Sequence, residues 1–227
     1  MKKPTAVIPA RGGSKRLPNK NILPFMGRPL VYWPIQAALE SKVFERVAVS
    51  TEDEEIASIA RDAGAEVILR PPQLAADSST VVQVCLHALD VLGDIQDLCC
   101  IYATAALLEP VDLIKSHAVY AQQGYDSVMG VAEYDLSPFQ ALQQVDGKWR
   151  LRWPEFRNVQ SQHYPELVCS AGMIYWIQAD ALRRERSFYT DNMGVFKFPR
   201  TQLCDINTME DFQAAEDRAR KLPMFRR

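Results

Sequence analysis

Arg11, Lys15, Arg16 and Lys20 place four cationic side chains within ten residues, in a chain whose formal net charge is -2. They surround Gly12, Gly13 and Ser14, and they follow directly on the apolar run Ala6-Val7-Ile8-Pro9-Ala10. Adjacent glycines let a backbone approach a ligand closely and turn its N–H groups toward an anion. Cations gathered at the carboxyl end of a first strand suit a polyphosphate. The loop has neither the Gly-x-x-x-x-Gly-Lys-Ser/Thr spacing of a P-loop nor the Gly-x-Gly-x-x-Gly of a dinucleotide fold. Nucleotide hydrolysis and hydride transfer are therefore disfavoured. The plainer alternative is a solvated basic turn.

A second candidate set lies near the C-terminus. Asp205 and Asn207 are two apart, so on an extended segment their side chains share one side. An alternative employs Asp205 as the cap of a helix starting near Thr208, where Thr208 and Asp211 also have capping-box spacing.

Positioning these residues requires alternating strands and helices, and the periodicity predicts them. Strands are expected at 5–9, 46–50, 66–69, 98–104 and 127–131, and helices at 30–41, 53–63, 80–92 and 110–123. The helix at 110–123 opens on Pro110 and closes before Gly124. This rhythm predicts an α/β fold, a mostly parallel sheet with helices on both faces. Between 133 and 168 the rhythm breaks. Asp146-Gly147 separates 140–145 from 148–153 and reads as a β-hairpin, an arm inserted in the sheet domain. Strands at 173–177 and 195–198 and a closing helix at 208–221 follow.

The bulk numbers exclude several classes. The 227 residues suit one α/β domain. A charge of -2 does not suggest a general nucleic-acid or membrane-surface binder. No run approaches the ~20 apolar residues of a membrane helix. The apolar stretch before Arg11 is shorter than a signal-peptide core, and the five cysteines are odd in number without a Cys-x-x-Cys pair. A cytoplasmic protein with reduced thiols is expected, with Cys99 and Cys100 in the core.

Four segments carry a family resemblance. Ile8-Pro9-Ala10-Arg11-Gly12-Gly13-Ser14-Lys15-Arg16-Leu17-Pro18-Asn19-Lys20-Asn21-Ile22, followed by Gly27-Arg28-Pro29-Leu30, resembles the signature loop of the acylneuraminate cytidylyltransferases. The segments 49–57, 70–77 and 205–211 agree in order and spacing, and 99–105 most resembles the pseudaminic acid branch. The resemblance implies one three-layer α/β/α nucleotidyltransferase (Rossmann-like) domain over 1–227, with 133–168 as a dimerisation arm. It implies transfer of CMP from CTP to an acidic nine-carbon sugar. Arg11, Lys15 and Lys20 would hold the phosphates, with Ala10, Gly12, Gly13 and Ser14 around them. Arg70, Asp77 and Ser79 would frame cytosine and ribose. The family usually has two aspartates to hold Mg²⁺ where Asp205 and Asn207 stand, so one charge is missing.

The sugar end departs further. By the resemblance Gln160, Cys169, Ser170 and Tyr175 would meet the acceptor, yet Gln160, Cys169 and Ser170 stand where relatives carry Arg, His and Asp. Two rival readings follow. One is a cytidylyltransferase for 3-deoxy-manno-octulosonic acid, although Tyr102-Ala103-Thr104-Ala105-Ala106-Leu107 lacks the acidic residue typical there. The other is a non-catalytic or weakly active nucleotide-binding relative.

Overall fold

A computed structural model of the chain describes residues 2–225. β1 (Thr5–Pro9) leads through the basic loop to a short hairpin, β2 (Pro24–Phe25) and β3 (Arg28–Pro29), and then to α1 (Tyr32–Ser41). There follow β4 (Arg46–Thr51), α2 (Glu54–Asp62), β5 (Glu66–Leu69), α3 (Val81–Leu92), β6 (Asp97–Ile101), α4 (Pro110–Gln122) and β7 (Ser127–Glu133). The hairpin β8 (Leu142–Val145) and β9 (Lys148–Leu151) precedes β10 (Val168–Gln178), α5 (Ala179–Glu185), β11 (Met193–Lys197) and α6 (Met209–Ala219).

One sheet has the strand order β11-β7-β10-β6-β1-β4-β5. Its pairs are parallel except where β10 runs antiparallel to β6 and β7. Side chains alternate across the pleat, which explains the continuous apolar runs. Ala6, Ile8 and Cys99 pack with Ile35 of α1, Ile56 of α2 and Leu113 of α4. Val7, Ala48 and Cys100 pack on the other face with Leu89 of α3 and Leu182 of α5. Cys99 and Cys100 are fully buried, as expected, and desolvation pushes both thiols up. A third cluster joins Leu17, Phe25 and Leu30 to Phe212 and Ala215 of α6. It pins the basic loop and the small hairpin against the C-terminal helix. No helix among the described residues is long and apolar enough to cross a membrane.

Several boundaries differ from the sequence reading, for physical reasons. β6 ends at Ile101, because Ala105 N–H donates back to Tyr102 O at 2.9 Å and Leu108 N–H to Ala105 O at 3.1 Å. The apolar run continues because this turn is itself buried. β10 is eleven residues long, with its register shifting between Ser170 and Tyr175 where Gly172 has φ +62°. α5 was not expected: it spans only seven residues.

The hairpin forms around Asp146 (φ 49°) and Gly147 (φ 73°), both left-handed as a type I′ turn requires. From the sequence, the aromatics of the arm at 133–168 (Tyr134, Phe139, Trp149, Trp153, Phe156 and Tyr164) read as exposed. Phe139 is instead only 7% exposed, ringed by Phe156 at 4.2 Å, Tyr164 at 5.2 Å and Trp153 at 5.8 Å. The arm therefore has a small core of its own. Trp149 and Leu142 remain 68% and 60% exposed.

Candidate active site

A cleft of about 300 Å³ opens at the carboxyl end of β1. Arg11, Ser14, Lys15, Arg16 and Lys20 line it from the basic loop. Arg70, Asp77 and Ser79 line it from the segment before α3, Tyr102 and Thr104 from the turn after β6, and Asn207 from the approach to α6. Residues from both ends of the chain thus meet in one place. α3 starts at the cleft, its N-cap Thr80 in a capping box with Gln83. α6 starts there too: Thr208 is its N-cap, in the predicted box with Asp211. Asp205 is therefore not the cap. Two helix N-termini, each carrying partial positive charge, accompany the cationic loop.

The loop is held by side chains from several directions. Asn21 Nδ2 donates to Arg11 O at 2.9 Å. Glu52 Oε1 accepts from Gly12 N–H at 2.9 Å. Asp53 Oδ1 caps α2, accepting from Glu55 N–H at 2.9 Å and Ile56 N–H at 3.0 Å. A Cβ on Gly12 would lie 2.3 Å from Asp53 Oδ2, so a larger residue there would have to displace the Asp53 side chain that caps α2. Around Gly13 the corresponding space is open. Gly12 N–H was expected as a donor to a ligand, but in this structure Glu52 takes it. Ala10 contributes packing: it is fully buried, and its N–H donates to Ser50 O at 2.9 Å.

The cations have defined partners. Arg11 Nη1 donates to Asp77 Oδ1 at 2.9 Å, and Lys15 pairs with Asp77 Oδ2. Lys15 and Arg11 together hold the Asp77 carboxyl below the usual carboxylate range. Arg70 is buried against Glu52. Lys20 Nζ donates to Ile206 O at 2.6 Å. Desolvation pulls its ammonium below the usual lysine range, opposed by Asp205. Ser79 Oγ donates to Gln73 O at 2.7 Å.

Ile206 is fully buried, while Asp205 is exposed and Asn207 lines the cleft. Among the described residues no three His, Cys, Asp or Glu side chains cluster as a metal site. The pair offers one carboxylate and one amide oxygen, hard donors of the type Mg²⁺ accepts, and a bound polyphosphate would have to complete the shell.

The expected acceptor residues are less united. Tyr175 and Ser170 hydroxyl oxygens are 2.6 Å apart, and the Tyr175 ring lies 5.4 Å from Tyr102, which lines the cleft. Burial pushes both tyrosine hydroxyls up, so this edge is neutral. Cys169 Sγ instead faces Ala132 O at 3.6 Å. Gln160 is exposed on the arm and accepts from Gln162 Nε2 at 2.6 Å. Sequence reasoning missed Glu52, Asn21 and Tyr102. All three lie inside the segments that carry the family resemblance, but their roles depend on neighbours distant in sequence.

A Rossmann-like sheet with a cationic glycine loop at its carboxyl edge, facing two helix N-termini, has the architecture of a nucleotidyltransferase. The chain belongs to the cytidylyltransferase family, whose sequence profile matches residues 5–221. It is 33% identical over 216 residues to the pseudaminic acid cytidylyltransferase of Campylobacter jejuni, covering 92% of this chain and 93% of that one. It is 28% identical over 218 residues to an N-acylneuraminate cytidylyltransferase of Streptococcus agalactiae, covering 92% of this chain and 52% of that one. Among solved structures, a CMP:2-keto-3-deoxy-manno-octonic acid synthetase complexed with CTP superposes with a TM-score of 0.74 at 16% identity, covering 97% of this chain and 100% of that one. That likeness speaks for the fold alone.

Proposed function

We propose that this chain transfers CMP from CTP to a nonulosonic acid, sialic-like or pseudaminic, and releases pyrophosphate. The observation that carries the reading is the convergence of Arg11, Lys15, Lys20, Arg70 and Asn207 on one cleft in a chain of this family. In the reaction the oxygen of the sugar's anomeric hydroxyl attacks the α-phosphorus and its proton passes to solvent. The bond from the α-phosphorus to the bridging oxygen breaks, and that oxygen leaves on pyrophosphate. Negative charge grows on the leaving group, and fixed cations around it lower the barrier. Arg11, Lys15 and Lys20 fill that role, while Arg70 and Ser79 face the nucleoside end. Asp205 and Asn207 would hold Mg²⁺, which supplies charge neutralisation at the phosphates.

The acceptor would lie toward Tyr102, where the Tyr175–Ser170 pair offers neutral hydroxyls. The arm at 133–168 would dock on a second copy, bringing Gln160 toward the partner's cleft. Exposed Trp149 and Leu142 support this, since a two-stranded hairpin needs an apolar surface to cover. Five free cysteines support a reducing, cytoplasmic setting. One second reading has a specific basis. Asn207 and the neutral acceptor residues also suit a relative that binds CTP without turning it over.

Pyrophosphate release from CTP and Mg²⁺, measured with a panel of nonulosonic acids and 3-deoxy-manno-octulosonic acid, tests the proposal. Release with a nine-carbon acid supports it. CTP binding without release on any acid supports the second reading.

A further inference from the structure

We propose that Glu52 is a positioning residue that fixes the separation between the phosphate end and the nucleoside end of the cleft. The inference rests on the nucleotide reading above. Glu52 immediately follows β4, and the end of that strand already ties its two neighbours together. Ala10 N–H donates to Ser50 O at 2.9 Å from the side of β1, and Arg70 N–H donates to Thr51 O at 3.0 Å from the side of β5. The Glu52 side chain repeats this connection one residue beyond the ladder. Its Oε1 accepts from Gly12 N–H at 2.9 Å. Its Oε2 accepts from Arg70 Nε at 2.9 Å and Nη2 at 2.8 Å.

The site is built rather than incidental. The Arg70 side chain is 3% exposed and that of Glu52 is 20% exposed. A guanidinium so far from water needs its carboxylate, because a buried charge stripped of its partner is costly. Both glutamate oxygens are committed, one to each half of the cleft. On the side where a Cβ would stand, Gly12 packs closely against the Asp53 side chain. The phosphate loop and Arg70 are therefore held to one carboxylate, and through it to each other. Groups fixed at the right spacing bind a whole ligand better than its fragments, because less order is lost on binding.

Glu52→Gln keeps the shape but replaces one acceptor oxygen with a donor, so it serves one partner and faces the other with an N–H. CTP affinity should fall at least about tenfold, the worth of one charge-assisted hydrogen bond. Inorganic pyrophosphate, which needs only the loop, should weaken less than about threefold. A general loss of structure would weaken both ligands alike. The experiment is calorimetric titration of wild type and Glu52→Gln with CTP and with pyrophosphate. Equal loss for both ligands, or loss for neither, overturns the role. A wild type that binds pyrophosphate but not CTP overturns the nucleotide reading and this inference together. Should Glu52→Gln fail to fold, the wild-type Gly12 amide supplies the test. Its exchange with solvent should be slow in the free protein and remain slow with CTP bound. Fast exchange in the free protein contradicts the proposal.

Discussion

Asp77 Oδ1 accepts from Arg11 Nη1 at 2.9 Å, and the other oxygen of the same carboxylate meets Lys15. An internal anion therefore occupies the two cations assigned to phosphate, and an incoming polyphosphate must displace it. All three side chains are solvent-accessible, so water and salt screen both pairs and neither is hard to break. Asp77→Asn is expected to tighten inorganic pyrophosphate by roughly fivefold in a calorimetric titration. Unchanged or weaker binding would mean that Asp77 does not compete for these cations.

Lys20 gives a pH signature. Burial holds its folded pKa below the ordinary 10.5, with Asp205 pulling upward and Arg16 and Arg11 pushing downward. A bound triphosphate favours the charged ammonium. CTP affinity should therefore be full below the free protein's Lys20 pKa and fall as pH rises through it, earlier than for an ordinary lysine. Lys20→Arg, which stays charged, should flatten the decline. A wild-type affinity constant up to about pH 10, near the ordinary lysine value, would contradict the assignment.

Asn207 leaves the proposed metal position one charge short. Asn207→Asp should lower the Mg²⁺ concentration for half-maximal activity, while Asp205→Asn should abolish Mg²⁺-dependent turnover. An unchanged Mg²⁺ requirement in Asn207→Asp would place that side chain away from the ion.

The exposed half of the arm predicts assembly. Trp149→Lys with Leu142→Glu leaves the Phe139 cluster intact and should convert a dimer to monomers by sedimentation. The same variant should lose sugar turnover and retain CTP binding. A wild-type chain that sediments as a monomer at micromolar concentration would defeat the dimer.

What the sequence makes legible is local. Gly12-Gly13 and the four cations are contiguous, so the phosphate loop can be read directly from the order of residues. The Thr208–Asp211 box and the strand Glu66–Leu69 follow equally from short-range rules. The role of Glu52 is not legible in its own segment, because its two partners come from the ends of β1 and β5, and their adjacency to β4 is a property of the sheet. Phe139 reads as exposed for a similar reason: its cover comes from Trp153, Phe156 and Tyr164, well along the chain. The length of β10 is hidden by the glycine bulge at Gly172, which interrupts the alternation a strand is recognised by.

In the proposed reaction the α-phosphate of CTP ends on an acidic sugar. CTP labelled at its α-phosphate, incubated with Mg²⁺ and each acid in turn, tests it directly. Label is expected in a CMP-sugar with a nine-carbon nonulosonic acid, together with unlabelled pyrophosphate. Label retained in CTP with every nonulosonic acid, or transferred only to 3-deoxy-manno-octulosonic acid, would contradict it.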